Sequence, residues 1–318
     1  MTRMVARHIL AVDIGASKTL LAVRRCDQLS EGWHAGSDVS RTATPRDPAA
    51  LVDWIAGRVD GLALDVPAAI GVAAPGPLDV VTGIVTRSSN IGWEGVPLGA
   101  MMTDRLGAPV IIEDDANAAA LGEWRFGAGE QADPFAYLTV SSGIGGGVVV
   151  GGAIVRGVDG NAGEVGHIVL DPDGPQCACG RRGDVESFAG GTALERRARG
   201  AWPDGLTQDR VRAPRTAAEI FAAARRGDVT ARGIVDDAIA AVAMALGAFA
   251  AVLEPQRFAV GGSIGLRQRG MVRKAAAMAR RKVMAENGRS IDVRTAALGA
   301  ESVLAGAAVL AQRRAERR

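Results

Sequence analysis

The stretch FAYLTVSSGIGGGVVV, Phe135–Val150, consists of two apolar halves joined by a glycine-rich turn. Aromatic and β-branched residues on both sides of a turn predict two strands. The stretch HILAVDIGASKTLLAV, His8–Val23, has the same plan, with Asp13 at the end of its first strand. At an offset of 128 residues, Gly15 aligns with Gly143. The repetition predicts an internal duplication, with each half built around a strand–turn–strand phosphate loop.

Outside the two hairpins, predicted strands alternate with predicted helices. The further strands are predicted at Ala68–Ala73, Pro109–Ile112, Arg257–Val260 and Ile291–Val293, with another around Trp33. The helices are predicted at Pro48–Val59, Pro97–Leu106, Asp114–Trp124, Ser187–Arg199, Ala217–Arg226, Thr230–Leu253 and Gly270–Ala285, with a last one from Glu301. This alternation predicts an α/β architecture.

The composition of the 318-residue chain indicates a packed soluble protein of two domains or one large one, with 48% hydrophobic and 23% charged residues. A formal charge of +2 implies no polyanionic partner. We interpret the arginines of the basic tail as a solvated helix end; they are Arg313, Arg314, Arg317 and Arg318. No long apolar segment precedes Asp13, so no signal peptide is predicted. The apolar run Ala238–Leu253 is short for a membrane span and predicts a buried helix.

A second informative region gathers charged residues and thiols among glycines. Glu164 and His167 lie in GEVGH, and Cys177, Cys179 and Glu186 follow in CACGRRGDVE. Histidine is scarce, with three in the chain, and the odd number of cysteines fits a reducing cytosol better than a disulfide framework. The cluster predicts a metal knuckle beside a polar pocket. The alternative is a glycine-rich loop that holds these residues without a shared role.

The two glycine turns are candidate phosphate loops, because backbone N–H groups can approach phosphate oxygens where no Cβ intrudes. Neither turn, Gly15–Lys18 or Gly143–Gly147, has the Walker spacing. Each alone is equally consistent with an ordinary hairpin turn. Their matched repetition favours two loops that close on one phosphate chain. Asp13 would then hold Mg²⁺ or its waters, since Mg²⁺ prefers oxygen ligands and substrate phosphates.

Two adjacent carboxylates, Asp114 and Asp115, stand at the start of a predicted helix. One of them is expected to cap the helix, and the other could take a proton from an attacking hydroxyl. Asn90 lies in a polar loop, where it either binds a ligand or is only solvated. Together with Glu164, His167 and Glu186 it would offer the donors and acceptors that a polyol requires.

Over nearly its whole length the sequence resembles the ROK family (repressors, open reading frames, sugar kinases) of the hexokinase–actin superfamily. The matching motifs are DIGASK from Asp13, GVAAPGP from Gly71, EDDANAAA from Glu113, SGIGGG from Ser142, AGEVGH from Ala162 with CACG from Cys177, and VGGS from Val260. The AGEVGH–CACG signature is highly specific, whereas the individual glycine loops are not.

The resemblance implies ATP-dependent phosphorylation of a hexose such as glucose, or of an N-acetylhexosamine, usually at the 6-hydroxyl. It implies that Asp115 is the general base. It implies a sugar site formed by Gly76, Asn90, Asp114, Glu164, His167 and Glu186. It implies an ATP and Mg²⁺ site formed by Asp13, Gly15, Ser17, Lys18, Ser142, Gly143, Gly261 and Gly262.

The resemblance also implies a fold of two actin-like, ribonuclease-H-like lobes with a ligand cleft between them. We expect residues 1–118 to form the smaller N-terminal lobe, completed by the C-terminal helix 300–318. Residues 119–299 would form the larger lobe, which carries the signature and the knuckle.

The sequence departs from the family pattern at three places. Asp114 stands where an Asn that touches the sugar is common, and Ser141-Ser142 replace Gly-Thr. Three of the family's four zinc ligands are matched by His167, Cys177 and Cys179, but Asp184 stands in place of the third cysteine. Zn²⁺ with Asp184 as fourth ligand is one interpretation. The alternatives are plain thiols, or an Asp184 paired with Arg181 or Arg182.

Two competing functions remain open at this stage. A repressor of the same family would bind sugar without catalysis, but we expect no room for a DNA-binding domain before His8. An actin-like ATPase without a sugar substrate would lack the set formed by Glu164, His167 and Glu186. We therefore predict a cytoplasmic sugar kinase that is a homo-oligomer, dimer or tetramer, with no nucleic-acid or membrane partner. The acceptor sugar, and whether polyphosphate can replace ATP, stay open.

Overall fold

The computed structural model describes residues 7–34, 39–62, 66–88, 90–203, 205–207, 212–283 and 291–317. The chain divides into two compact units. The first comprises Met1–Gln131, Ala153–Ala162 and Ala300–Arg318, and the second comprises Ala132–Gly152 and Gly163–Gly299.

Strands and helices alternate along the described chain, as predicted. The strands are β1 (His8–Ile14), β2 (Lys18–Arg25), β3 (Val39–Ala43), β4 (Ala69–Ala74), β5 (Leu78–Asp79), β6 (Ile84–Ser88), β7 (Trp93–Val96), β8 (Val110–Asp114), β9 (Phe135–Val140), β10 (Ile144–Val150), β11 (Ala153–Ile154), β12 (Arg257–Gly261) and β13 (Val293–Thr295). The helices are α1 (Pro48–Asp60), α2 (Leu98–Leu106), α3 (Asp115–Phe126), α4 (Val185–Ala189), α5 (Gly191–Ala201), α6 (Ala217–Arg226), α7 (Val229–Leu253), α8 (Gly262–Arg267), α9 (Arg269–Lys282) and α10 (Ser302–Glu316).

The first unit is built on a five-stranded sheet in the order β3-β2-β1-β4-β8. Strands β1, β4 and β8 are parallel, and β2 and β3 are antiparallel to them. Asp13 pairs in register with Ala73, and Asp114 with Ala74. Parallel strands end at the same edge of a sheet, so both carboxylates lie at the edge where open α/β sheets bind ligands.

The C-terminal helix α10 packs on this sheet and on α3, and this contact explains where the first unit ends. A Cβ on Gly71 of β4 would overlap the carbonyl oxygen of Ala307, and one on Gly306 would overlap that of Ala118. The last helix therefore belongs to the first unit. The predicted boundary after residue 118 falls inside α3; the structure keeps all of α3 in the first unit, because Gly122 also lies against the backbone of Ser302.

The second unit contains strands in the order β10-β9-β12-β13. Strands β9 and β10 form an antiparallel hairpin, and β12 runs parallel to both β9 and β13. Helix α7 is long and apolar enough, by length and composition, to cross a membrane. Ala238, Val242 and Leu246 of that helix are fully buried in the core of the second unit. This burial agrees with the predicted core helix.

The predicted duplication is present in the strand topology, since each unit has an antiparallel hairpin whose first strand is extended by parallel strands. The offset of 128 residues does not hold for the second strand of the hairpins. Leu20 pairs with Asp13, whereas Val148 pairs with Ala136. The reason is the turn, which is shorter in the second hairpin, where Val140 pairs with Ile144.

Two local predictions were wrong. Trp33 is not in a strand; its indole Nε1 donates to Glu301 Oε2 at 2.7 Å, which fixes the side chain in a loop. The predicted helix Ser187–Arg199 is two helices, α4 and α5. They separate at Gly190, whose extended backbone (φ −65°, ψ 140°) ends one helix and caps the next. Residues 284 and 285 of the predicted helix Gly270–Ala285 lie outside the described residues.

Candidate active site

The first predicted phosphate loop is the turn between β1 and β2. The Gly15 N–H donates to the carbonyl of Lys18 at 2.9 Å, and the Thr44 hydroxyl donates to the carbonyl of Gly15 at 2.7 Å. Ser17 and Lys18 are exposed at its tip. The turn is therefore held by a backbone hydrogen bond and by the side chain of Thr44. The sequence did not indicate Thr44, because it lies 29 residues from Gly15.

Asp13 lies beside this turn at the end of β1. Burial and the negative charge of Asp115 raise the pKa of Asp13 to about 7, against the opposing effect of Lys18. A negative charge raises the pKa of a carboxyl group when the two lie near one another, so Asp115 lies near Asp13. The structure thus brings the predicted Mg²⁺ residue and the predicted base together in the first unit.

This raised pKa predicts a pH dependence of stability in metal-free protein. With a native pKa of about 7 against an ordinary 3.8, the folded state holds the proton more tightly than the unfolded chain. The stabilisation is complete below pH 3.8 and is lost as the pH rises to 7, by up to about 1.4 kcal/mol per pH unit. Urea unfolding in EDTA should show Asp13→Asn gaining stability relative to wild type across that window. Parallel pH profiles for the two proteins would contradict this.

The start of α3 separates the roles of the two adjacent carboxylates. Asp114 is the N-cap, and its Oδ1 accepts the N–H groups of Ala116 and Asn117 at 2.9 and 3.2 Å. Asp115 occupies the first turn and is partly exposed. The capping alternative therefore applies to Asp114, and Asp115 is not the residue that caps the helix.

A buried network supports this helix start. The Glu113 side chain is fully buried; its Oε1 accepts from the Asp114 N–H and from Asn117 Nδ2, each at 3.2 Å. Its Oε2 accepts from Arg156 Nε and Nη2 at 2.7 and 2.6 Å. Glu113 begins the EDDANAAA motif but had no predicted role. Arg156, which lies 43 residues further along the chain, was not predicted as part of the site.

Gly76 and Asn90 follow β4 and β6 in the same unit. Gly76 has a φ of +103°, and a Cβ there would overlap the carbonyl oxygen of Arg87, so only glycine fits. Asn90 is exposed in a turn. Both places suit a loop that receives a ligand.

The second phosphate loop lies at the end of β9, in the second unit. The Ser142 carbonyl accepts the Thr192 N–H at 3.0 Å, and the hydroxyls of Ser141 and Ser263 are 3.1 Å apart. Gly262 has a φ of +79°, and a Cβ there would overlap the carbonyl oxygen of Val140. The predicted Ser142–Gly143 and Gly261–Gly262 segments are therefore neighbours.

The three predicted polyol ligands of the second unit also come together. The Nε2 of His167 lies 4.0 Å from Glu164 Oε2, and Glu186 Oε2 accepts the Ile144 N–H at 2.9 Å. A Cβ on Gly143 would overlap that same oxygen of Glu186. The predicted sugar ligand Glu186 therefore lies next to the second predicted phosphate loop. Burial, with a contribution from Glu186, raises the pKa of Glu164, while His167 lowers it.

The knuckle places four potential metal donors within 4.8 Å of one another: His167, Cys177, Cys179 and Asp184. Asp184 Oδ2 lies 3.0 Å from His167 Nδ1 and 3.6 Å from Cys179 Sγ, and Cys177 Sγ lies 3.9 Å from that nitrogen. Zinc bonds of about 2.0–2.3 Å place tetrahedral ligands roughly 3–4 Å apart, so the set fits zinc. The Nε2 of His167 faces Glu164 instead, so one imidazole can serve both sites.

Asp184 is held by the knuckle and by the helix that follows. Its Oδ1 caps α4 by accepting the Ser187 N–H at 2.8 Å. Burial alone would raise its pKa, but hydrogen bonds from Cys177, His167 and Ser187 lower it. Among ion pairs of the described residues Asp184 pairs with His167, so the predicted alternative of a pair with Arg181 or Arg182 is wrong.

Comparisons of the sequence and of the structure with known proteins indicate the same family. The model of the ROK family matches residues 9–314. The chain is 34% identical over 322 aligned positions to a glucokinase of Streptomyces coelicolor, covering 95% of this chain and 97% of that one. It is 39% identical over 201 residues to a glucokinase of Thermotoga maritima; that match covers 61% of this chain and 63% of the relative, less than two thirds of its length.

Two solved structures have similar folds. One is a ROK hexokinase from Thermus thermophilus, with a TM-score of 0.81 and 32% identity, covering 98% of this chain and 100% of that one. The other is a ROK family glucokinase from Streptomyces griseus in complex with glucose and AMPPNP, with a TM-score of 0.74, 32% identity, and coverage of 96% and 99%. The predicted α/β fold of the actin-like sugar kinases is thereby confirmed.

Proposed function

Because this chain belongs to the ROK family, we propose that it is an ATP-dependent sugar kinase. The observation that carries the proposal is the start of α3. There Asp114 is used as the helix cap, and Asp115 remains partly exposed and close enough to Asp13 to raise its pKa. A base beside a cation-binding carboxylate is the arrangement that transfer of a phosphoryl group to a hydroxyl requires.

In the proposed reaction Asp115 accepts the proton of a sugar hydroxyl while that oxygen forms a bond to the γ-phosphorus of ATP. The bond between the γ-phosphorus and the β–γ bridging oxygen breaks, and ADP leaves with its electron pair. Asp13 would hold Mg²⁺ or its waters, and the cation would supply neutralisation of phosphate charge. The Gly15 turn, with Ser17 and Lys18, would contact the phosphates through backbone N–H groups and the ammonium.

The second unit would bind the remaining parts of both substrates. Ser142 and Gly143 offer backbone to the phosphates, and Gly261 and Gly262 allow close approach of the adenosine. Glu164, His167 and Glu186 would accept and donate hydrogen bonds to sugar hydroxyls, together with Gly76, Asn90 and Asp114 of the first unit. The raised pKa of Glu164, a half-exposed carboxyl group, suits a side chain that bonds a neutral hydroxyl.

The acceptor is proposed to be a hexose such as glucose, phosphorylated at the 6-hydroxyl, or an N-acetylhexosamine. Glucokinases are among the relatives, and so is an N-acetylmannosamine kinase of Haemophilus influenzae, 29% identical over 261 residues. We further propose a homo-oligomer, dimer or tetramer, in the cytoplasm, where ATP is available and thiols stay reduced.

A coupled assay that reports ADP tests the function directly. The panel should contain glucose, mannose, fructose, N-acetylglucosamine and N-acetylmannosamine, with ATP and Mg²⁺, and polyphosphate as a second donor. We expect turnover with at least one of these sugars. If none is phosphorylated while one binds tightly by calorimetry, the kinase proposal fails and a non-catalytic sugar sensor replaces it.

We also propose that the knuckle holds Zn²⁺ through His167, Cys177, Cys179 and Asp184. When bound, zinc would fix the imidazole through Nδ1 and so orient Nε2 toward the sugar site. A carboxylate in place of a thiolate should weaken the binding of this borderline-soft ion without abolishing it.

The zinc proposal predicts that Asp184→Cys tightens zinc binding by at least about tenfold, because a thiolate replaces a hard oxygen. Asp184→Ser is the matched variant, since serine can still cap α4 but is not a zinc ligand. It should lower both zinc affinity and zinc content. Competition with a chromophoric chelator and elemental analysis measure these effects, with Cys26→Ser as the neutral control. Equal affinities in all four proteins would mean that Cys177 and Cys179 are plain thiols.

A further inference from the structure

A cavity of about 280 Å³ in the first unit has a strongly uneven lining. Its apolar lining includes Ile154 and Leu310, and its polar lining consists of four arginines: Arg156, Arg313, Arg314 and Arg317. No acidic residue lines it. The whole chain has 37 basic and 35 acidic residues, so this concentration of charge is local.

Three of these guanidinium groups lack a direct acidic partner. Within the part of the chain that the structure describes, Arg156 pairs with Glu113, whereas Arg313, Arg314 and Arg317 form no ion pair. Arg313 stacks on the ring of Trp124, with its guanidinium carbon 5.6 Å from the ring centre. Burial, and the positive charges of Arg156, Arg317 and Arg125, lower the pKa of Arg313, while Glu316 opposes this effect.

A favourable interaction with the end of a helix explains part of this cluster, since cations are stabilised in a last turn. It accounts for Arg313 and Arg314 of α10. It does not account for Arg156, which comes from the segment after β11, nor for the apolar residues that line the same cavity. A cluster of repelling cations around a cavity is relieved by a bound anion.

The shape and charge of the cavity indicate the class of anion. Three unpaired guanidinium groups match about three negative charges, which one phosphate monoester, near −2 at pH 7, and one carboxylate supply together. Guanidinium groups bind both oxyanions in bidentate geometry. The apolar part of the lining, with Ile154 and Leu310, offers contact to a short carbon body that joins the two charged groups.

The cavity is connected to the proposed catalytic helix through one residue. Arg156 lines the cavity and at the same time donates two hydrogen bonds to Glu113 Oε2. The other oxygen of Glu113 accepts from the Asp114 N–H and from Asn117 at the start of α3. An anion in the cavity competes with Glu113 for Arg156, and Glu113 positions the turn that carries Asp115.

We propose that this cavity is a regulatory site for a small phosphorylated carboxylic acid, and that its occupancy alters turnover through Arg156 and Glu113. The regulatory part of the proposal rests on the proposed kinase function, whereas the binding part does not.

The binding part is tested by isothermal titration calorimetry of the full chain with phosphoenolpyruvate at constant ionic strength. Wild type should bind saturably, and Arg313→Gln with Arg317→Gln should weaken binding by at least about tenfold, since charge-assisted hydrogen bonds are lost. Arg199→Gln, at an exposed position in the last turn of α5, is the matched control and should bind like wild type. Orthophosphate should bind more weakly than phosphoenolpyruvate. Equal binding by the double variant and the control, or equal affinity for both anions, overturns the site.

The regulatory part is tested in an ADP assay that does not consume phosphoenolpyruvate. Phosphoenolpyruvate should change kcat of wild type and of Arg199→Gln, and the change should disappear in the double variant, whose activity without the anion should equal that of wild type. If the double variant does not fold, the single variant Arg314→Gln, at an exposed position, takes its place. Its kcat should respond to phosphoenolpyruvate less than that of wild type. Binding without any change in kcat overturns the regulation. A protein that binds the anion but phosphorylates no sugar instead marks failure of the proposed function.

Discussion

Asp115→Asn is expected to lower turnover by roughly 10²–10⁴-fold, the usual contribution of general-base catalysis. The amide keeps the size of the side chain but cannot accept the proton of the sugar hydroxyl. Asp115 is partly exposed, and the cap of α3 is made by Asp114, so the variant should fold normally. ATP affinity should change little. Steady-state kinetics on the best sugar of the panel, with ATP binding by calorimetry, give both quantities.

Asp114→Asn is the matched control, one residue away. Asparagine is as good an N-cap as aspartate, so the bonds to Ala116 and Asn117 can persist. The variant also introduces the residue that is common in the family, and we expect sugar affinity or choice to change with less effect on kcat. Turnover of Asp115→Asn above about a tenth of wild type would refute the base assignment. An unchanged sugar profile in Asp114→Asn would leave Asp114 as a helix cap only.

Gly306→Ala is expected to destabilise the first unit by roughly 2–3 kcal/mol, the upper end for overpacking by one methyl group. Gly306 lies in α10, and its new Cβ would overlap the backbone carbonyl of Ala118 in α3. Because the new Cβ clashes with backbone atoms, a change of side-chain rotamer cannot relieve the clash, and the two helices must move apart. Chemical denaturation followed by circular dichroism measures the loss, which exceeds the gain of about 1 kcal/mol in helix propensity.

Gly57→Ala is the matched control, because it is the same substitution in a helix without the contact. Gly57 is exposed in α1, and a Cβ there meets nothing within 4 Å. The variant should gain about 0.5–1 kcal/mol. A similar gain in Gly306→Ala would show that α10 does not pack on α3 as closely as described.

The strand–turn–strand pattern and the motif residues were enough to predict the α/β fold, which is confirmed, and to propose two phosphate loops and a base, which stay predictions. They were enough because these features depend on local chemistry: apolar runs make strands, glycine permits the turns, and Asp before a helix caps it. The family resemblance assigned the base to Asp115, but the local pattern left open which of the two carboxylates caps the helix, and this needed the structure. Adjacent identical residues have the same local propensity, and only the direction of each side chain at the start of α3 separates their roles.

The supporting contacts could not be predicted, because they join segments far apart in the chain. Thr44 fastens the Gly15 turn, and Arg156 holds Glu113 beside the proposed base. Three of the four cavity arginines, Arg313, Arg314 and Arg317, were interpreted together with Arg318 as a solvated helix end, since they lie close together in the sequence. The fourth, Arg156, is brought to the same cavity by the chain path after β11.

The sequence by itself determined the α/β fold and which residues are candidates for the chemistry, because residue types and their spacing along single loops define the two glycine turns, the knuckle and the predicted polyol ligands. The tertiary structure decided how those groups act. It buried Asp13 and placed it near Asp115, which together raise the pKa of Asp13 to about 7, and it turned Nδ1 of His167 to Asp184 and Nε2 toward Glu164. The physical reason is that burial, charge proximity and side-chain direction depend on distances through space, which the spacing along a chain does not contain.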